Sequence, residues 1–345
     1  MSALLPPHDP TPAAGAAPAS RNSSSRSRSG VRVVADAVRE ASACIPRLRH
    51  ELRRVLVGHD DLVDRLLLAL LADGHVLLQG GPGLGKQLVV RAFAAALGCE
   101  FRHLPGTPDL EHADLVGSME AKGPLFTHVL YVEDLDEAPP KVRAALVHAA
   151  KEREVRLDAT LLPLPEPYLV VATCTPDGRG ACRLPTAQRD RFLLHTRVPA
   201  PGPDQERDLI DVASPGLRTP AVRAVTTPEA IRRARMVLAA IYMDGSVKDY
   251  VVRLVHTLRC PASHGLRAPD AIRFEASPRA TLGLVAAAKA HAFLDGRGDA
   301  RHDDVRAVAP DVFRHRMDVA AHHCELEIPT SEDLIQRVLD AVPVD

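Results

Sequence analysis

The run Gly80-Gly81-Pro82-Gly83-Leu84-Gly85-Lys86 fits the spacing GxxxxGK, and it follows a short apolar segment and precedes a helical one. In that setting the glycines let backbone N–H groups wrap a phosphate, the helix N-terminus adds positive potential, and Lys86 reaches the β and γ phosphates. The next residue is Gln87, where a Ser or Thr hydroxyl normally serves Mg²⁺; a Gln carbonyl is a longer and looser ligand. A second chemical element is Val129-Leu130-Tyr131-Val132-Glu133-Asp134, an apolar run closed by paired carboxylates. In phosphoryl transfer one such carboxylate holds the magnesium shell and its neighbour polarises the attacking water.

The usual order of that pair is Asp then Glu, and here it is reversed. Glu133 is one methylene too long for the magnesium role and Asp134 one too short for the water role. A misplacement of about 1 Å costs on the order of 100-fold in rate.

The elements that must position these groups follow from periodicity. Short apolar runs at His75–Gln79, Phe101–Leu104, His128–Val132, Tyr168–Thr173 and Phe192–Val198 predict buried strands, with helical stretches between them, such as Lys86 to Leu97. That alternation predicts an α/β fold with a parallel sheet. Val31 to Leu71 predicts two helices, interrupted near Val57-Gly58-His59. Beyond Pro199–Pro203 the strand signals stop. Helices are expected from Thr227-Pro228 to about Ile241, from Ser246 to about Arg259, and over Pro278–Phe293, Asp303–Ala309 and Glu332–Val342. The expected organisation is a disordered Pro/Ala/Ser-rich tail over residues 1–30, an α/β domain over 31–200, a linker over 201–225 and an all-α domain over 226–345.

Composition narrows the function. Lys+Arg 43 against Asp+Glu 44 gives a net charge of −1, and the tail carries Arg21, Arg26 and Arg28 against Asp9, so the remainder is mildly acidic. A nucleic-acid platform normally shows a basic surplus, and with Trp 0, Tyr 4 and Phe 7 there is little for bases to stack on. The densest apolar run, Leu66 to Ala72, is far short of the ~18 residues of a membrane helix. No charged segment leads into an apolar one at the N-terminus, and the six cysteines form no CxxC pair, so a cytoplasmic, reduced protein is expected. His256, Cys260 and His264 are evenly spaced, but Pro261 breaks the helix that would align them for zinc. His322-His323-Cys324 reads as a solvated turn.

Taken together these segments resemble the MoxR family of AAA+ ATPases. The resemblance runs from about Leu52 to Arg316. It rests on Val57-Gly58, Gly80 to Lys86, Thr107-Pro108-Asp109-Leu110, Gly123-Pro124-Leu125-Phe126, Ala138 to Lys141, Leu164 to Pro167, Val170 to Thr173, Leu184-Pro185 with Asp190-Arg191-Phe192, and Ser277-Pro278-Arg279-Ala280. It implies an AAA+ nucleotide-binding core followed by a helical lid, assembled as a ring, with a homo-hexamer expected. It implies ATP and Mg²⁺ as cofactors and chaperone-like remodelling of client proteins, often ones carrying a von Willebrand A domain. Residue by residue, Gly80, Gly81, Pro82, Gly83, Leu84, Gly85, Lys86 and Gln87 fall in the phosphate loop, with Gln87 and Glu133 at the magnesium. Glu133 and Asp134 form the Walker B pair, Thr175 is sensor 1, Arg191 is the arginine finger that reaches a neighbour's γ-phosphate, and Arg279 is the sensor 2 arginine.

The departures concentrate on magnesium and water. Gln87 replaces Thr, the acidic pair is reversed, and Thr175 stands where the family usually has Asn. Glu137 stands where Arg is usual, and the insert Ser118–Lys122 is too short for the family's β-hairpin. Lys86 and the two arginines are intact. The expectation is a protein that binds ATP and assembles but hydrolyses slowly. The alternatives are a pseudo-ATPase acting as a nucleotide-gated scaffold and a DNA-directed AAA+ loader or helicase.

Overall fold

Four- and five-residue apolar runs can hide their backbone polar groups only by pairing with one another. In the computed structural model, which describes residues 23–158, 160–174, 184–213, 221–264, 272–274, 277–319 and 331–344, the five predicted runs do so. The chain enters through helices α1 (Ser23–Ser42), α2 (Ile45–Arg53) and α3 (Asp60–Leu71), then β1 (Val76–Gln79), α4 (Lys86–Ala96), β2 (Phe101–Pro105), α5 (His112–Val116) and β3 (Val129–Glu133). It continues through α6 (Pro140–Glu152), the hairpin β4 (Glu154–Leu157) and β5 (Thr160–Pro163), β6 (Leu169–Thr173), α7 (Thr186–Arg189) and β7 (Leu194–Arg197). The sheet order is β2-β3-β6-β1-β7, all parallel, with Val76 beside Val171 on one side and Leu194 on the other.

Alternate strand residues feed two cores, as a pleated sheet covered on both faces requires. Leu77, Leu130, Val132, Val170 and Ala172 face α5, α6 and the hairpin. Val76, Leu78, Val129, Tyr131, Leu169 and Val171 face α3, α4 and the helices that follow the sheet. Those are α9 (Pro228–Ala239), α10 (Gly245–Arg259), α11 (Pro278–Leu294), α12 (His302–Phe313) and α13 (Ser331–Ala341), while α8 (Pro203–Ala213) stays outside this core. Two short strand pairs join them: β8 (Tyr242–Met243) with β10 (Asp299–Ala300), and β9 (Ile272–Phe274) with β11 (Met317–Val319). The apolar core runs without a break from the sheet into α9–α13.

Three local differences from the sequence reading have physical causes. Helix α1 begins at Ser23, inside the segment expected to be tail, because Val38 is fully buried, Val34 packs beside it, and a nucleated helix extends at little cost. Residues 1–22 lie outside the described residues. Three helices rather than two precede β1, since Pro46 fits only the first turn of a new helix. The expected linker contains α8, and helix α10 is capped by Asp244, which accepts from the Ser246 N–H at 3.0 Å. The short insert closes as a tight turn, with Ser118 N–H donating to Ala121 O at 2.9 Å.

Three imidazoles are buried in these layers, His75 just before β1, His195 on β7 and His315 just after α12. His75 accepts from Val170 N–H at 3.1 Å, and His315 Nε2 bonds Phe192 O at 2.9 Å with its ring edge-on to His195. Burial holds His75 down to about 3 and both His195 and His315 well below the ordinary histidine value, so all three are neutral in the fold. Below about pH 6.5 the unfolded chain takes up these protons and the folded chain does not, so stability rises with pH through this range. Urea unfolding at pH 6.5 and 5.5 is expected to reveal a loss of about 1 kcal/mol per buried histidine; equal stability at the two values would contradict it.

Candidate functional site

Strand β1 is buried along its whole length, so the chain leaving it must turn sharply at the sheet's carboxyl edge. Gly83 and Gly85 do this with left-handed φ values of 76° and 71°, which side-chain-bearing residues rarely adopt. At Gly80 a Cβ would come within 2.8 Å of Val198 O, so the close approach itself needs glycine. Residues Gly81, Pro82 and Gly83 are exposed and Leu84 is half-buried; α4 then starts at Lys86. The Lys86 ammonium donates to Gly80 O at 2.9 Å and Gly81 O at 2.6 Å, lying across the loop it is expected to serve. Partial burial lowers its pKa, against the opposing pull of Asp134 and Glu133.

The paired carboxylates sit at the same edge. Glu133 ends β3, and its Oε2 lies 3.0 Å from His103 Nε2 on the adjacent β2. The other ring nitrogen of His103, Nδ1, is 3.2 Å from the Gln87 side-chain amide on α4. Asp134 turns the chain with φ 48°, donates its N–H to Thr173 Oγ1 at 2.8 Å, and accepts from that hydroxyl at 3.3 Å. Thr173 closes β6 and is buried. Lys86, Gln87, Glu133 and Asp134 are therefore brought together. The sequence reading missed His103 and Thr173; strand register could have found His103, which lies opposite Tyr131, two residues before Glu133.

The oxygen donors of Gln87 and Glu133 beside an exposed glycine loop fit a hard divalent cation carried by a phosphate. Thr175 lies outside the described residues.

The two arginines go elsewhere. Asp190 precedes β7, at the amino edge of the sheet, and accepts from Arg279 Nη1 at 3.0 Å and Ser277 Oγ at 2.9 Å, both at the start of α11. Buried Arg316 donates to its other oxygen at 2.9 Å. Arg279, expected at the phosphate loop, is thus held away from the loop of its own chain because Asp190 captures it. Arg191, next in sequence, is exposed, and its backbone N–H donates to Gln188 O at 3.2 Å. Both arginines line a cavity of about 280 Å³, with His75, Lys151, Arg153 and Phe192, at the start of β1 and β7. The metal-like triad His291, Asp295 and Asp304 is filled by Arg297, which donates to Asp304 Oδ2 at 2.9 Å. His256 is exposed on α10 and Cys260 follows its end, so the described residues make no zinc set there. His322-His323-Cys324 lies outside the described residues.

Residues 75–194 match the ATPase family associated with various cellular activities, and residues 265–338 match the AAA lid domain. The chain is 36% identical over 310 residues to chaperone MoxR1 of Mycobacterium tuberculosis, covering 86% of this chain and 81% of that one. It is 30% identical to protein MoxR of Methylorubrum extorquens, covering 88% and 95% respectively. A crystal structure of a candidate ATPase from Cytophaga hutchinsonii superposes with a TM-score of 0.82 at 28% identity, over 90% of this chain and 97% of that one.

One glycine tests the packing behind the carboxylates. Gly106 donates to Glu133 O, and a Cβ there would lie 2.3 Å from Asp134 O. Gly106→Ala is expected to cost about 1–3 kcal/mol in urea unfolding. Gly245→Ala, where a Cβ meets nothing within 4 Å, should stay within about 0.5 kcal/mol of the parent.

Proposed function

The chain belongs to the MoxR-type AAA+ ATPases, and from that premise we propose that it binds ATP with Mg²⁺ at the junctions of a ring, a homo-hexamer by the family resemblance, and remodels client proteins in the cytoplasm. The observation that carries this reading is the separation of the two halves of the site. Strand β1 alone spans about 10 Å, and the loop lies beyond one end of it while Arg191 and Arg279 lie beyond the other. One chain's arginines therefore face away from its own phosphate loop. A head-to-tail neighbour brings them to it, and such heterologous contacts close into rings.

In this reading the loop N–H groups and the N-terminus of α4 hold the phosphates, and Lys86 turns from Gly80 O and Gly81 O onto them. Magnesium carried with ATP would supply positive charge against that of the phosphates. Gln87 and Glu133 are the residues to hold it. Asp134, fixed by Thr173, orients water, and a neighbour's Arg191 and Arg279 offset charge in the transition state. Clients with a von Willebrand A domain follow from the resemblance. Hydrolysis is slow, because the residues at the magnesium and water positions are altered while the cradle is whole.

A nucleotide-gated scaffold is the second reading, favoured by the engagement of Glu133 with His103 and of Asp134 with Thr173. A DNA-directed role is disfavoured by the acidic balance. Turnover and sizing in one sample, with and without ATP and Mg²⁺, test the reading. The expected result is a ring with ATP, turnover below about 1 s⁻¹, and neither ring nor nucleotide binding in Lys86→Ala. A monomer that persists with ATP contradicts the ring, and turnover in the ordinary range of about 1–100 s⁻¹ contradicts slow hydrolysis. A ring with no turnover favours the scaffold.

A further inference from the structure

Position 87 lacks the hydroxyl that the resemblance expects at the metal, and the same corner of the site holds an imidazole. His103 stands between the two residues assigned to magnesium, 3.2 Å from the Gln87 amide through Nδ1 and 3.0 Å from Glu133 Oε2 through Nε2. Its ring leans on Tyr131 with centroids 5.5 Å apart, and it lies exposed on β2, an edge strand of the sheet. Resting on the nucleotide reading above, we propose that His103 and Glu133 together ligate the nucleotide's divalent cation, making a mixed nitrogen and oxygen site that prefers a first-row transition cation such as Mn²⁺ to Mg²⁺.

The first support is the distance. Two adjacent ligands on an octahedral ion with bonds of about 2.1 Å lie about 3 Å apart, which is the separation of His103 Nε2 and Glu133 Oε2. A cation can therefore replace the proton between them with little movement of either side chain. The second support is the other nitrogen. Amide oxygen and nitrogen are assigned from the hydrogen-bond network; when a cation takes the place of the proton on Nε2, the Gln87 amide turns over so that its carbonyl accepts from Nδ1–H and the Nε2 lone pair is free for the metal. A metal-bound histidine almost always has its second N–H fixed in this way. Gln87 then acts as the residue that orients His103, which accounts for an amide where a hydroxyl ligand is expected. The third is donor chemistry: imidazole suits transition cations and Mg²⁺ favours oxygen, so one nitrogen in the set shifts the preference.

The test uses the full-length chain, ADP, and either MnCl₂ or MgCl₂. Calorimetry is expected to give ADP binding about tenfold tighter with Mn²⁺. Pulsed EPR of the Mn²⁺–ADP complex is expected to show coupling to a histidine nitrogen that changes when histidine is ¹⁵N-labelled. His103→Gln, on a partly exposed edge position, should erase that coupling and equalise the two metals. Gln87→Ala should keep the coupling and weaken the Mn²⁺ preference about tenfold, as loss of an orienting partner does. Equal affinities with no nitrogen coupling would overturn the proposal and leave the nucleotide site standing. No ADP binding with either metal would overturn both.

Discussion

The carboxylate of Asp190, just before the last strand of the sheet, gathers groups from the C-terminal part of the chain. One oxygen accepts from Arg316, which is 2% exposed, and the other from Arg279 and Ser277. A guanidinium buried this deeply needs a partner, since stranding one side of such a pair costs about 3–5 kcal/mol. Asp190 lies at the end of α7, so satisfying Arg316 pins the start of α11 against the amino edge of the sheet. Arg279 follows from that restraint, and it places the arginine beside exposed Arg191. Lid and sheet then share one apolar core, in which His315 and the backbone of Phe192 also meet.

This restraint gives the molecule two unlike ends. At the carboxyl edge, glycine conformations leave an open cradle with Lys86 across it, and two carboxylates are each held by a neighbour, Glu133 by His103 and Asp134 by Thr173. At the amino edge, Arg191 and Arg279 line a cavity with no carboxylate other than Asp73 among its lining residues. In the proposed ring the amino edge of each copy would meet the cradle of the next, a head-to-tail contact. The alterations at Gln87, Glu133 and Asp134 touch only the first edge.

Much of this could be read from the residues because the signals are local. The inner strands β1, β3 and β6 are near-continuous apolar runs, since both faces are covered, while the edge strands β2 and β7 carry polar residues, and the glycine loop announces itself by spacing. What escaped depends on contacts distant in sequence. The hairpin β4–β5 has four-residue strands with no apolar run, and α8 is almost wholly exposed, so neither carries a strong period. Helix α1 gains its early turns from packing of its later ones on α9 and α11. His103 matters through strand pairing, Thr173 through its neighbour β3, and the position of Arg279 through Asp190, 89 residues away. None of these is visible in a window of sequence.

The central claim, that one copy's arginines complete another copy's phosphate cradle, is tested most directly by mixing two broken chains. Lys86→Ala keeps the arginine edge and Arg191→Ala/Arg279→Ala keeps the cradle, so sedimentation with ATP should find each alone as a monomer and the mixture as a dimer with one intact junction. Assembly of Arg191→Ala/Arg279→Ala by itself into the same ATP-dependent ring as the parent chain would contradict the account.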